Sequence, residues 1–155
     1  MARYFNTTGL CNPEEHYMVD PLRGKDPDIR RLIEAKQYFL IHAPRQTGKT
    51  TLLHALARRL NREGKYISVV ASLENAALTS ISPEAANVSF ARAVYRGARS
   101  FLPQHEWPAP PEGLTPSVDA FQDYLSQWAE SQSKPIVLLL DEIDALYDDV
   151  LVSVL

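Results

Sequence analysis

Residues 38–64 constrain the fold more than any other stretch of this 155-residue chain. Tyr38-Phe39-Leu40-Ile41-His42 is a short aromatic and β-branched run that predicts a buried strand. Ala43-Pro44-Arg45-Gln46-Thr47-Gly48 follows as a polar loop with turn formers. Beyond it Leu52, Leu53, Leu56 and Leu60 share one side of a helix, with Arg58, Arg59 and Arg62 elsewhere, and Gly64 supplies the stop. A buried strand that passes through a short loop into an amphipathic helix is the opening of a parallel α/β unit, because the helix must carry the chain back along the sheet.

The other segments fit that class. Residues 1–25 read as irregular, punctuated by Gly9, Pro13, Pro21 and Gly24. Asp26-Pro27-Asp28 reads as a helix start with a capping carboxylate, and Ile29, Leu32, Ile33 and Lys36 lie on one face. Tyr66–Ala71 predicts a second strand. Ser82-Pro83-Glu84 opens a helix with Ala86, Phe90, Ala93, Gly97 and Phe101 along one stripe. Five prolines between Pro103 and Pro116 demand a loop, and Val118, Phe121, Leu125 and Trp128 then return to helical spacing. Ile136-Val137-Leu138-Leu139-Leu140 is the most apolar run and predicts a fully buried strand.

The loop before Lys49 carries a specific chemistry. Successive backbone N–H groups can wrap an anion, and the helix N-terminus adds unsatisfied donors and the positive end of its dipole. Gly48 lets the backbone approach phosphate oxygens, Lys49 can reach the β- and γ-phosphates, and the Thr50 hydroxyl can ligate Mg²⁺. Ala43, Pro44, Arg45, Gln46, Thr47, Gly48, Lys49, Thr50 and Thr51 are therefore the candidate nucleotide-binding residues. A Gly-Lys-Thr triplet also suits an ordinary helix start. Arg45 suits either a γ-phosphate or solvent, and Thr51 either an α-phosphate or a helix surface.

A second constellation stands at the end of the last apolar run. Asp141 and Glu142 are delivered to the C-terminal end of a strand, where open α/β sheets place their ligands. Asp141 is the candidate Mg²⁺ ligand opposite Thr50, and Glu142 the candidate base that takes a proton from attacking water. Lys49 and Glu142 are thus the candidate catalytic residues.

Composition narrows the classes. Hydrophobic residues make up 45% and charged residues 23%, which is globular and excludes a disordered or low-complexity chain. The net charge of −3 supports no general attraction to nucleic acid or membrane. It is unevenly spread: residues 1–65 hold 12 Lys/Arg against 7 Asp/Glu, and residues 66–155 hold 4 against 12. Cys11 has no partner for an internal disulfide, and the four histidines lack metal-ligand spacing. Without a signal-like N-terminus or an apolar stretch of about 18–20 residues, the sequence predicts a soluble cytoplasmic protein with no membrane partner. Arg92, Arg96 and Arg99 recur at helical spacing, which suits a solvated face or a DNA or protein partner.

On these residues the chain resembles P-loop ATPases of the AAA+/STAND-like superfamily. Ala43–Thr50 resembles the Walker A motif and Leu138–Glu142 the Walker B motif, and the loop is similar to the "PRQTGKTT" loop of bacterial AAA-like ATPases. Tyr4–Gly9 and His16–Asp20 resemble the lead-in of those proteins. The resemblance implies ATP and Mg²⁺ as cofactors, adenine-side contacts from Tyr17 and Met18, and a three-layer α/β/α fold whose five-stranded parallel sheet is ordered 5-1-4-3-2. Only the first three strands are expected here. Residues 1–25 then form the lead-in and 26–155 the N-terminal part of the ATPase domain. The missing C-terminal part, with its sensor, arginine finger and lid, becomes the expected partner, and the chain alone a poor hydrolase. A non-hydrolysing nucleotide switch and a small-molecule kinase are the alternatives.

Overall fold

The computed structural model describes residues 3–6, 9–44, 46–74 and 82–143. The chain is α/β and divides into two compact units, residues 1–56 and 57–155.

In the first unit the lead-in is more ordered than its composition suggests. Tyr4 and His16 form a parallel bridge, with the Tyr4 N–H donating to Glu15 O at 3.0 Å and the Tyr17 N–H to Tyr4 O at 2.9 Å. His16 is buried, and its Nδ1 accepts from the Asn12 N–H at 2.8 Å. Asp20 closes the next turn by accepting from the Leu22 N–H, which seats Leu22 in the interior. Helix α1 (Asp26–Glu34) buries Ile29 and Ile33. Asp26 is not its cap. Lys25 holds that position with no side-chain bond, while the Asp26 carboxylate accepts from Arg30 Nε at 2.9 Å one turn on.

The expected strand at 38–42 does not form. Residues 37–44 have no regular structure, Tyr38 is 99% exposed and Leu40 76%. The physical reason lies in the ladder. In the strand order that the resemblance implies, this segment's neighbours are the fourth and fifth strands, and no strand among the described residues pairs with it. Without a paired neighbour a segment of this composition gains neither ladder hydrogen bonds nor a sheet face for its apolar side chains.

Helix α2 (Lys49–Glu63) begins directly after the loop. Leu52, Leu53, Leu56 and Leu60 are all buried, as their spacing requires, and Gly64 ends the helix in the left-handed region at φ 73°.

The second unit is built on two parallel strands, β1 (Ile67–Ser72) and β2 (Ile136–Asp141), in register from Ile67 opposite Ile136 to Ser72 opposite Asp141. Helix α3 (Pro83–Phe101) is capped by Ser82, whose hydroxyl accepts from the Ala85 N–H at 3.3 Å, and packs on β1. Gly97 is where helix and strand meet: a Cβ there would lie 2.3 Å from Val70 O. Helix α4 (Ala120–Ser131) packs on α3, and Phe90 and Phe121 meet edge to face at 5.6 Å. Asn87, fully buried on α3, donates to Ser117 O and Val118 O and pins the approach to α4.

The proline-rich loop is fastened by side chains that carry both an apolar body and a donor. Trp107 Nε1 donates to Leu102 O, Trp128 Nε1 to Glu106 O, and the Tyr124 hydroxyl to Ala109 O. Strand β2 is not fully buried. Leu139 and Asp141 are buried and the other four residues half-buried, because among the described residues only one of its edges, that against β1, is paired. Among the described residues no helix is long and apolar enough to cross a membrane.

Candidate functional site

The loop of the first unit gets its shape from two left-handed residues two positions apart. Gln46 stands at φ 59° and Gly48 at φ 85°. Glycine adopts that conformation without cost, and with nothing within 4 Å of a built Cβ its role here is conformational. Ala43 does not need a positive φ, so alanine is accommodated at the head of the loop. Thr47 Oγ1 donates to Pro44 O at 2.7 Å and draws the loop back on itself. Lys49 Nζ donates to Ala43 O at 2.7 Å and to Pro44 O at 3.2 Å. The ammonium is thereby folded over the loop, and an anion that engaged Lys49 would exchange those carbonyl bonds for its own.

The Gly48 carbonyl accepts from the Leu52 N–H at 2.9 Å, so α2 starts its ladder at the glycine. The first N–H groups of such a helix have no intrahelical acceptor and bear the positive end of its dipole. Beside this helix start lies a cavity of about 580 Å³, a size that small-molecule sites commonly have. Of the expected residues, Ala43, Thr47, Gly48, Lys49 and Thr51 line it, whereas Pro44, Gln46 and Thr50 do not. Arg45 lies outside the described residues.

The lead-in supplies much of the remaining wall. Met18 lines the cavity, but Tyr17 is not in its wall and is exposed, with its ring 5.2 Å from that of Phe5. Val19, Pro21, Lys25, Asp28 and Ile29 line it as well. Sequence reasoning passed over these five. The signal was the Asp20–Leu22 turn, which brings α1 back beside the loop, but nothing in the spacing announces that return.

In the second unit the two carboxylates stand where β2 ends. Asp141 is buried at 8% exposure, its carbonyl accepts from the Leu73 N–H, and its Oδ1 accepts from the Glu142 N–H at 3.1 Å. Glu142 leaves the strand in the left-handed region at φ 60°, so its side chain departs from the alternation of the strand. Its Oε2 accepts from the Ser72 hydroxyl at 3.0 Å. Desolvation of the Glu142 carboxyl, followed by the negative charges of Glu74 and Asp141, holds it above the usual carboxylate range, while the Ser72 hydrogen bond pulls the other way. Ser72 is another residue that sequence reasoning missed. It closes β1 exactly opposite Asp141 in register, a fact visible only once the strands are paired.

Mg²⁺ takes oxygen ligands and keeps much of its water. Thr50 in the first unit carries a hydroxyl oxygen, and Asp141 and Glu142 in the second carry carboxylate oxygens. Among the described residues no group of three His, Cys, Asp or Glu side chains gathers to hold a metal.

Neither a curated protein nor a solved structure matches the chain. Among protein families, the AAA ATPase domain matches over residues 21–152, a span holding the loop, Pro21 and Lys25 of the cavity wall, and the Asp141-Glu142 pair. On a match of that extent, the chain belongs to the AAA ATPase domain family.

Proposed function

We propose that the chain binds ATP with Mg²⁺ at the loop of residues 43–51, and that within the protein that carries the domain, more than in the chain alone, ATP is hydrolysed and turnover is coupled to conformational change. One observation carries this reading: two left-handed residues shape a loop whose lysine and helix start border a cavity of about 580 Å³. Family membership supports ATP as the ligand.

The loop N–H groups and Lys49 would bind and orient the phosphates, as expected of the Walker A segment that Ala43–Thr50 resembles. Thr50 and Asp141 would hold Mg²⁺, which when bound neutralises charge on the phosphate oxygens. Glu142 would accept the proton of the attacking water, a role suited to a carboxyl held above its ordinary range. Positioning and electrostatics would supply the rate.

Two variants test the assignment. Lys49→Ala should abolish ATP binding in calorimetry. In the protein that carries the domain, Glu142→Gln should keep binding but lower phosphate release by about 100-fold or more. If Glu142→Gln turns over as the parent does, water activation by Glu142 is wrong. If Lys49→Ala binds ATP undiminished, the loop is not the phosphate site.

A further inference from the structure

We propose that Asp28, on α1, is a specificity residue of the same cavity, and that its carboxylate accepts hydrogen bonds from the sugar hydroxyls of the bound nucleotide. The inference rests on the reading of the cavity as a nucleotide site.

A carboxylate in the wall of a phosphate pocket requires an explanation. It repels the phosphates that Lys49 and the α2 start attract, so it must face an uncharged, donor-bearing part of the ligand. Asp28 lines the cavity, and among the described residues its side chain has no hydrogen bond or ion pair. Lys25 sits one turn back in the same wall and does not pair with it. Asp26, two residues before it, is tied to Arg30 at 2.9 Å. An acid in the first turn favours the helix dipole, which accounts for a negative charge on α1 but not for its place in the wall.

The chemistry of the wall then divides the ligand. Met18, Val19, Pro21 and Ile29 give the cavity apolar surface, which suits the flat face of a base. The donors of an adenine nucleotide are its two sugar hydroxyls and the exocyclic amine. The hydroxyls are adjacent, as are the two oxygens of a carboxylate, and acidic side chains hold ribose hydroxyls in other dinucleotide and nucleotide sites. Asp28 lines the cavity and is exposed, so its carboxylate is open to a ligand whose phosphates Lys49 holds in the same cavity.

Titration calorimetry of the 155-residue chain with ATP, 2′-deoxyATP and inosine triphosphate, each with Mg²⁺, tests this. ATP should bind about tenfold tighter than 2′-deoxyATP, the scale of one hydrogen bond to a charged acceptor. Inosine triphosphate, which lacks the amine, should bind like ATP. Asp28→Ala should lose the preference for ATP over 2′-deoxyATP, and Asp28→Asn, which keeps one acceptor oxygen, should restore part of it. Far-UV circular dichroism should show both variants folded, since Asp28 is exposed. A preference that survives in Asp28→Ala overturns the proposal, as does discrimination against inosine triphosphate instead of 2′-deoxyATP. If the parent binds none of the three, the nucleotide reading falls and this proposal with it; equal binding of ATP and 2′-deoxyATP that Lys49→Ala abolishes sinks the Asp28 role alone.

Discussion

The two units hold their candidate site residues by opposite means. In residues 1–56 the loop is shaped by backbone conformation: left-handed Gln46 and Gly48, and side-chain bonds from Thr47 and Lys49 to loop carbonyls. In residues 57–155 the carboxylates are placed by packing. Phe90, Val94, Val69 and Ile67 form one continuous core with Phe121, Tyr124 and Trp128, and the register of β1 with β2 fixes where Asp141 falls. A conformational device fails locally, whereas a packed layer fails as a whole. Substitutions in the second unit should therefore cost stability first, and those in the loop should cost binding first.

The largest effect should come from the core. Phe90 is fully buried and touches Phe121 edge to face, so Phe90→Ala should lower unfolding free energy by about 3–5 kcal/mol in a urea titration. Since β1 carries α3, the same variant should weaken the ladder that positions Asp141. A loss below about 1 kcal/mol would show that this core does not govern the second unit.

Two glycines sharpen the contrast next. At Gly97 an added methyl would strike Val70 O and Val69 Cγ1 at 2.3 and 2.7 Å, so Gly97→Ala must push α3 off β1. It should cost about 1–3 kcal/mol of stability. At Gly48 the methyl meets nothing, but φ is 85°, and Gly48→Ala carries only the left-handed penalty of about 1–2 kcal/mol. The first should appear as a lower melting temperature. The second should appear mainly as weaker ATP binding, because the loop can relax to another shape without disturbing a core. Equal melting losses with unchanged binding in Gly48→Ala would break the distinction.

That contrast also marks what the sequence disclosed. Leucine spacing placed α2, Ser82-Pro83-Glu84 placed the start of α3, and apolar runs placed β1 and β2, because each depends on periodicity or on chemistry within a few residues. The Tyr38–His42 run has the composition of a strand, but a strand needs a neighbour, and composition does not name one. Asp26 looked like a cap and proved to be half of an ion pair, since Arg30 at i+4 competes for the same carboxylate. Local motif chemistry marked the loop and the Asp141-Glu142 pair. The places of Asp28 in the cavity wall and of Ser72 opposite Asp141 were hidden because they arise from where α1 and β1 bring them, and no short-range pattern encodes that.

Ser72 offers the smallest and most specific test. Its hydroxyl donates to Glu142 Oε2 at 3.0 Å and favours the charged carboxylate, opposing the desolvation and the neighbouring charges of Glu74 and Asp141 that favour the neutral form. Removing the donor in Ser72→Ala leaves the raising influences unopposed, so the Glu142 pKa should rise further. If Glu142 acts as base, activity needs its carboxylate, and the rate falls as pH drops through that pKa. The acid limb of the pH–rate profile should therefore move to higher pH in Ser72→Ala, with the plateau rate above it little changed. Ser72 is exposed at the strand end, so the melting temperature should barely shift. An acid limb that stays in place would show that the Ser72 hydroxyl does not set the protonation of Glu142. A limb that moves to lower pH would mean that the hydroxyl hydrogen-bonds the neutral acid instead, and would reverse the sign of its influence on the site.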